Sequence, residues 1–542
     1  MSPVRTILGI WRAEQNYLAF GALLALAALA AGVFLMANAG ATAAAAILGA
    51  ALVVPVALQA IGAARVILRY SERLVTHDAM FRALSRVRIW FFNGLAHSAA
   101  GGLGFRRAGD LLARLVNDVE ALDGLYLRIL VPGLGFVVLL PILAVFLARE
   151  NFWALLALLP FVLIGLWLPW RAAGLAEHNA HQAAAAMAGL RNAALDALSG
   201  LREVKIFGAE ARMLATITAR EKTFLAAQRD LAGRVARLNA AGMLAAQAGI
   251  LLVLLIGLTA PPIAAIAAVF VLTAAFEAIQ TMPRAGVLLG QSRAAAALVV
   301  AAATTPPAVP EPAAPAPLPA SHAISLDHVS FRYAANLPYV FESLSLQLPA
   351  GSRAAILGPS GAGKSTIAAL LLKLQAPQSG KIRLGGADLA TLPAEAVRSR
   401  IAYLSQSTHL FADTIRNNLR LGDPTATDEQ LWAALDAAKL SEAIRALPEG
   451  LNSFLGEAGS TLSGGQGRRL ALARTLLSPA PILILDEPCA GLDLATETAF
   501  YETLNTAATG RTLLLIAHRL TGAEKLDRVW RLAGGTMVAA TG

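Results

Sequence analysis

The sequence predicts a two-part fold: a membrane α-helical domain of six spans, followed by an α/β domain built around a phosphate-binding loop. Three observations predict it. The chain has 542 residues, 56% of them hydrophobic and only 15% charged, and its mean hydropathy is +0.59. A water-soluble chain carries nearer a quarter charged residues, so the surplus apolar surface has to face lipid. The apolar runs of spanning length all lie before residue 304, whereas the glycine-rich phosphate-binding sequences all lie after residue 320. Between them, residues 304–320 read TTPPAVPEPAAPAPLPA, a Pro/Ala-rich stretch without apolar periodicity, as expected of an extended, semi-stiff linker. The expected domains are therefore 1–303 in the membrane, the linker 304–320, and 321–542.

Charge and cysteine content narrow the class further. The formal charge is +10 and the pI about 10.1. Nucleic-acid binding would account for that, but so would cytoplasmic loops loaded with Lys and Arg, and the hydropathy favours the second account. No nucleic-acid partner is expected. One cysteine, Cys489, excludes an internal disulfide framework and a cysteine-cluster metal site. The first apolar run starts near Tyr17 and reads as a first span rather than a cleavable leader.

Six spans are expected at 17–38, 43–64, 129–148, 152–170, 241–258 and 263–281, each close to the roughly 20 residues that cross a bilayer. The fourth contains Pro160 and Pro169, tolerable where neighbouring helices satisfy the freed carbonyls. After span two come Arg65, Arg69, Arg73, Arg82, Arg86 and Arg88, and after span four Arg171, Arg191, Arg202, Lys205 and Arg212. The opposite turns carry only Arg149 and Glu150. Both long segments, the N-terminus and the C-terminal domain of a multi-pass membrane protein are thus expected in the cytoplasm. The long segments look helical over 82–95 and 183–238, and 7–11 is an amphipathic run suited to the membrane surface.

The chemistry sits in the second part. Gly358, Pro359, Ser360, Gly361, Ala362, Gly363, Lys364, Ser365 and Thr366 spell a full Walker A sequence between an apolar strand (354–357) and a helix (366–374). Its glycines let backbone N–H groups converge on phosphate oxygens at a helix N-terminus. Lys364 should reach the β- and γ-phosphates of ATP, and Ser365 should ligate Mg²⁺. The run 482–485 ends in Asp486 and Glu487, so a buried parallel strand presents two carboxylates at its C-terminal end. Asp486 is placed to hold Mg²⁺ and Glu487 to polarise the attacking water as general base. An Asp-Glu pair alone would read as a surface turn; the Walker A sequence upstream decides against that.

At Leu462, Ser463, Gly464, Gly465 and Gln466 the chain resembles the ATP-binding cassette family, whose signature motif this is. The resemblance implies an exporter of six spans fused to an α/β P-loop cassette, with the signature capping ATP held by a second, head-to-tail cassette. It also implies four further roles. Tyr333 would stack on adenine. Gln406 would sense Mg²⁺ and the attacking water. Asp493 would belong to the inter-cassette loop, and His518 would contact the γ-phosphate. Other histidines (His97, His322, His328, His409) read as structural. Cys489 follows Glu487-Pro488 where the family usually has Thr or Ser, and reads either as a redox-sensitive site or as a small buried residue.

In the membrane half, the runs 69–82 and 109–128 resemble the CydC subunits of heterodimeric CydDC exporters. That likeness implies a CydD-like partner and export of glutathione and cysteine from cytoplasm to periplasm, supporting cytochrome bd assembly and redox homeostasis. The alternatives are a haem-translocating or haem-regulated subunit, or a homodimeric lipid or peptide exporter. Gln466 departs from the Glu expected of this subunit type. Arg69, Arg73 and His77 share one helix face below span two, suited to an anionic cargo or, through His77, to haem iron, or else to plain ion pairs with Glu72 and Asp78. His178 and His181 lack a third ligand and read as a solvated face. Glu277, costly in lipid, should face the cavity.

Overall fold

A computed structural model describes residues 2–47, 49, 56–98, 111, 112, 114–150, 152–258, 262–456, 461–489 and 494–539. They form two compact units, one running to Thr305 and the other from Pro306 onward.

The first unit is helical. Among its described residues are α1 (Pro3–Trp11), α2 (Gln15–Ile47), α3 (Val56–Ser98), α4 (Val131–Glu150), α5 (Leu168–Ser199), α6 (Leu201–Ile206), α7 (Glu210–Gly257), α8 (Pro262–Ile279) and α9 (Met282–Ala303). Five helical runs among the described residues are long and apolar enough to cross a membrane. The expected second span, 43–64, falls partly on 48 and 50–55, outside the described residues, and α2 continues to Ile47, past its expected end at 38. Helix α2 spans 33 residues, α3 43 and α7 48. At 1.5 Å per residue these are roughly 50–70 Å long, well beyond the ~30 Å hydrocarbon core, so the polar ends of α3 and α7 stand clear of lipid. The cytoplasmic helix expected over 183–238 is not continuous. It stops at Gly200 and turns again at Gly208, whose φ of +57° suits glycine.

Proline irregularity shows in the fourth span. It runs as a 3₁₀ stretch Phe152–Ala157, an α turn Leu158–Val162 holding Pro160, and a π turn Leu163–Trp167 before α5 opens with Pro169. A proline lacks the N–H for the i−4 bond, and the ladder shifts register around it. Packing is carried by aromatics against small residues: Phe136 stacks on Phe161 at 5.5 Å, and Phe161 tilts against Phe276 at 5.8 Å. Amphipathic α1 inserts Ile7 and Trp11 into a cluster with Met80, Val87, Phe91 and Val299. Just beyond it buried Glu14 accepts from Arg86 Nε at 2.6 Å.

The second unit begins with the linker, which lies on the domain it precedes. Ala316 N donates to the Thr391 carbonyl at 2.9 Å, and the Glu311 carboxylate accepts from Ala394 N at 3.1 and 3.3 Å. Strands β1 (Ile324–Phe331), β2 (Phe341–Leu348), β4 (Ser379–Leu384) and β5 (Ala387–Asp388) form an antiparallel sheet ordered β2-β1-β4-β5. The second sheet is ordered β10-β9-β3-β8-β7-β6, from β3 (Arg353–Leu357), β6 (Ile401–Leu404), β7 (Ile482–Asp486), β8 (Thr512–Ala517), β9 (Arg528–Ala533) and β10 (Thr536–Ala539). All its pairings are parallel except β10 with β9. Every residue of β7 and β8 is buried, which is why both read as unbroken apolar runs. Ligands of such sheets bind beyond the carboxyl ends of the strands, where β3, β7 and β8 end.

Close helix contact in the first unit yields a test. A Cβ on Gly286 of α9 would stand 2.1 Å from the Pro169 carbonyl oxygen of α5, whereas Gly233 of α7 faces open space. Gly286→Ala should destabilise the detergent-solubilised protein by about 1–3 kcal/mol, seen as a lower thermal midpoint. Gly233→Ala should leave the midpoint unchanged or raise it.

Candidate functional site

The phosphate loop leaves β3 at Gly358 and enters helix α10 (Lys364–Leu371). Gly361 and Gly363 take φ of +79° and +97°, left-handed backbone that a side chain would strain. At Gly363 a Cβ would also come within 2.5 Å of Val340 Cγ1. Lys364 is buried and folds back along the loop, its Nζ donating to the carbonyls of Gly358 at 2.8 Å and Pro359 at 3.0 Å. Ala362 N donates to the Pro359 carbonyl, closing the turn that holds Ser360. Tyr333 lies two residues past the end of β1, mostly exposed, its hydroxyl 2.9 Å from Thr366 Oγ1.

Four separate elements bring side chains to this loop. Ser365 Oγ donates to Asp486 Oδ2 at 2.5 Å. Asp486 is fully buried, and burial raises its carboxyl above the usual range while the Ser365 hydroxyl opposes the rise. Tyr403 on β6 faces the same carboxylate, its phenol pushed up first by burial and then by the Asp486 charge. Glu487 follows the last residue of β7 with φ +51°. Its Oε1 meets His518 Nε2 at 2.6 Å, and its Oε2 accepts from Gln406 Nε2 at 3.1 Å. The other His518 nitrogen, Nδ1, lies 3.1 Å from the Gly358 carbonyl. The loop 358–366, Gln406, Asp486, Glu487 and His518 are thus drawn from one end of the second sheet into one site, and Tyr333 joins them from the end of β1 in the antiparallel sheet.

Ser463 behaves differently. It caps helix α11 (Gly464–Leu477): its Oγ accepts from Gln466 N at 3.3 Å, and Ser463 N donates to Gln466 Oε1 at 2.9 Å. Gln466 therefore completes a capping box, which glutamine fills as well as glutamate. Nothing lies within 4 Å of where a Cβ on Gly464 or Gly465 would sit. This helix N-terminus is therefore open, and Leu462 before it packs against the cassette core. Asp493 lies outside the described residues. Sequence reasoning passed over Arg468 and Tyr403; a cation one turn into the signature helix and an aromatic near the end of β6 were the available signals.

The membrane unit holds a cavity of about 890 Å³. Arg65, Arg69, Arg73, Arg128 and Arg284 line it against two carboxylates, Glu72 and Glu277. Arg69, Arg73 and Glu277 thus share one lining. His77 is not in this lining; its Nδ1 lies 2.9 Å from the Arg73 carbonyl and its ring edges Phe81. Arg69 lies 3.9 Å from Glu72, while Asp78 pairs with Arg82 at 3.0 Å rather than with Arg73 or His77. The side chains of His178 and His181 lie outside the described residues. Arg128, in the π-helical stretch Leu125–Leu130, and Arg284, in α9, are distant in sequence, so only folding reveals them as neighbours of Arg69. Among the described residues no group of three His, Cys, Asp or Glu is arranged to hold a metal ion.

Residues 17–260 match the family described as ABC transporter transmembrane region, and residues 341–490 match ABC transporter. The chain is 36% identical over 477 residues to the glutathione/L-cysteine transport system ATP-binding/permease protein CydC of Escherichia coli, covering 87% of this chain and 83% of that one. The chain belongs to the ABC transporter family, as a CydC-like half-transporter. The half-transporter is also 32% identical over 508 residues to the CydD protein of the same named system in Bacillus subtilis, covering 89% of this chain and 84% of that one. A solved bacterial Atm1-family ABC exporter with ATP bound superposes with a TM-score of 0.86 at 26% identity, over 97% of this chain and 94% of that one. It is an ATP-hydrolysing transporter.

Cys489, next to this site, is buried with its thiol on the Tyr501 hydroxyl, and burial pushes its pKa up to about 12. The thiolate is the reactive form, so maleimide labelling of the native half-transporter at about pH 8 should be negligible and that of the SDS-unfolded chain complete. Rapid native labelling would show instead an open, redox-accessible thiol.

Proposed function

We propose that this half-transporter pairs with a CydD-like second half-transporter in a bacterial inner membrane, cassettes in the cytoplasm. The pair exports glutathione and cysteine to the periplasm, in support of cytochrome bd assembly and redox homeostasis. The arginine-lined cavity carries this reading: five guanidiniums against two carboxylates suit a small cargo bearing carboxylates. The names of the CydC and CydD relatives support the same cargo class.

In the cassette, Glu487 is the general base that polarises water, oriented by Gln406 and His518 through the bonds at 3.1 and 2.6 Å. Lys364 swings from the loop carbonyls to the β- and γ-phosphates, and Tyr333 stacks on adenine. Ser365, Asp486 and Gln406 form a hard-oxygen set that fits Mg²⁺, and the buried Asp486 carboxylate calls for a cation there. When bound, Mg²⁺ supplies charge neutralisation on the phosphate oxygens. The open N-terminus at Ser463 faces ATP on the partner cassette, and Asp493 serves the loop between cassettes. ATP binding closes the cassette pair and turns the cavity outward; hydrolysis resets it. Haem is the second cargo that the cavity charge favours, through its propionates. The described lining offers no imidazole, thiolate or thioether to its iron, so no step is assigned to haem.

The test is ATP-dependent uptake of labelled glutathione into inverted vesicles holding this chain and its partner. Glu487→Gln should lower this site's hydrolysis by about 10²–10⁴-fold and abolish uptake while ATP still binds. Absent uptake with undiminished hydrolysis would sink the thiol assignment and turn the search to haem or lipid. Hydrolysis by this chain alone would point to a homodimer.

A further inference from the structure

Helix α11 does more than present its N-terminus. Arg468 lies one turn into it, half-buried, and its guanidinium donates to three backbone carbonyls: Gln406 at 2.6 Å, Asp486 at 2.9 Å, and Glu487. These belong to the three residues whose side chains meet the water, the cation and the phosphate loop in the proposed site. Three carbonyl oxygens converging beneath two carboxylates make a strongly electronegative patch. A cation with a planar fork of donors is the one side chain that answers all three.

Backbone geometry adds a second argument. Glu487 is a non-glycine residue at φ +51°, a strained backbone that persists only where neighbours hold it. Two bonds hold it here: Glu487 N donates to the Ile516 carbonyl at 2.8 Å, and Arg468 grips the Glu487 carbonyl. The first ties Glu487 to β8 alone. The second ties it also to Gln406 across the site.

We propose that Arg468 is a positioning residue for ATP hydrolysis: it fixes the backbones of Gln406, Asp486 and Glu487 against one another and against the signature helix. This rests on the reading of Glu487 as general base. The Arg468 Nη groups are taken up by backbone carbonyls of this cassette, so its removal acts on the geometry of the chemical step rather than on ATP binding. Lysine keeps the charge but as a single point, and cannot span three carbonyls.

The experiment uses the full chain with its partner, the partner silenced at its own ATP site. Arg468→Lys and Arg468→Gln should each lower kcat by about 10–100-fold, since displacements near 1 Å cost that much. KM for ATP should stay within about threefold, and the thermal midpoint should stay near that of the unchanged protein. Combined with Gln406→Ala, the losses should fall short of multiplying, because the two act on one unit. A kcat within about threefold in both variants would overturn the proposal, as would multiplicative losses. So would a parallel fall of kcat, ATP affinity and thermal midpoint in both, which marks a merely structural arginine. Glu487→Gln in the same preparation separates the two readings. If it still hydrolyses, the general-base assignment fails. If it is inactive while Arg468→Lys is fully active, only the positioning role fails.

Discussion

The contact on which the cassette depends is the hydrogen bond from Ser365 to Asp486. It joins the first turn of the phosphate-loop helix to the last residue of a strand buried along its whole length. A carboxylate so placed is costly in isolation, and its raised pKa records that cost. The hydroxyl, the facing Lys364 and the cation this site suits offset it together. Once Asp486 is anchored, Glu487 has to leave the strand in a left-handed turn, which aims its carboxylate at Gln406 and His518 rather than along the sheet.

The same logic of costly groups held by neighbours governs the membrane unit. Guanidiniums gathered in one place are expensive unless they line a space that is wet or filled by an anion. Here five of them face one cavity, with Glu72 and Glu277 offsetting part of the charge. Close helix approach at glycine and the aromatic stack Phe136–Phe161–Phe276 pack the core of the same unit. Long helices then run out of the lipid, so a change in cavity shape has a stiff path to travel.

Much of the cassette was legible because its local patterns and its chemistry agree. The strand expected over 482–485 and its carboxylates is β7, which ends at Asp486 with Glu487 just past it, and the helix after the signature opens at Gly464, where Ser463 and Gln466 cap each other. The first strand ends at Phe331, and Tyr333 two residues on reaches Thr366. In the membrane half, hydropathy located spans but not their ends: α2 runs on through alanines that neither demand nor refuse lipid, and Pro160 and Pro169 break the fourth span into turns of three kinds. The face Arg69–Arg73–His77 split in space, because the side chain of His77 lies against its own helix and not in the cavity lining.

By itself the sequence determined the two-part organisation, the phosphate loop, the carboxylate pair and the signature, because each rests on residues adjacent in the chain and on backbone geometry that spacing enforces. Only the tertiary structure decided which distant groups meet. Arg468 reaches Gln406 across 62 residues, and Arg284 joins Arg65 in one cavity, through contacts that no local period encodes. The physical reason is that a guanidinium or a carboxylate is indifferent to sequence distance. Its partner is whichever oppositely polarised group the packed core brings within about 3 Å.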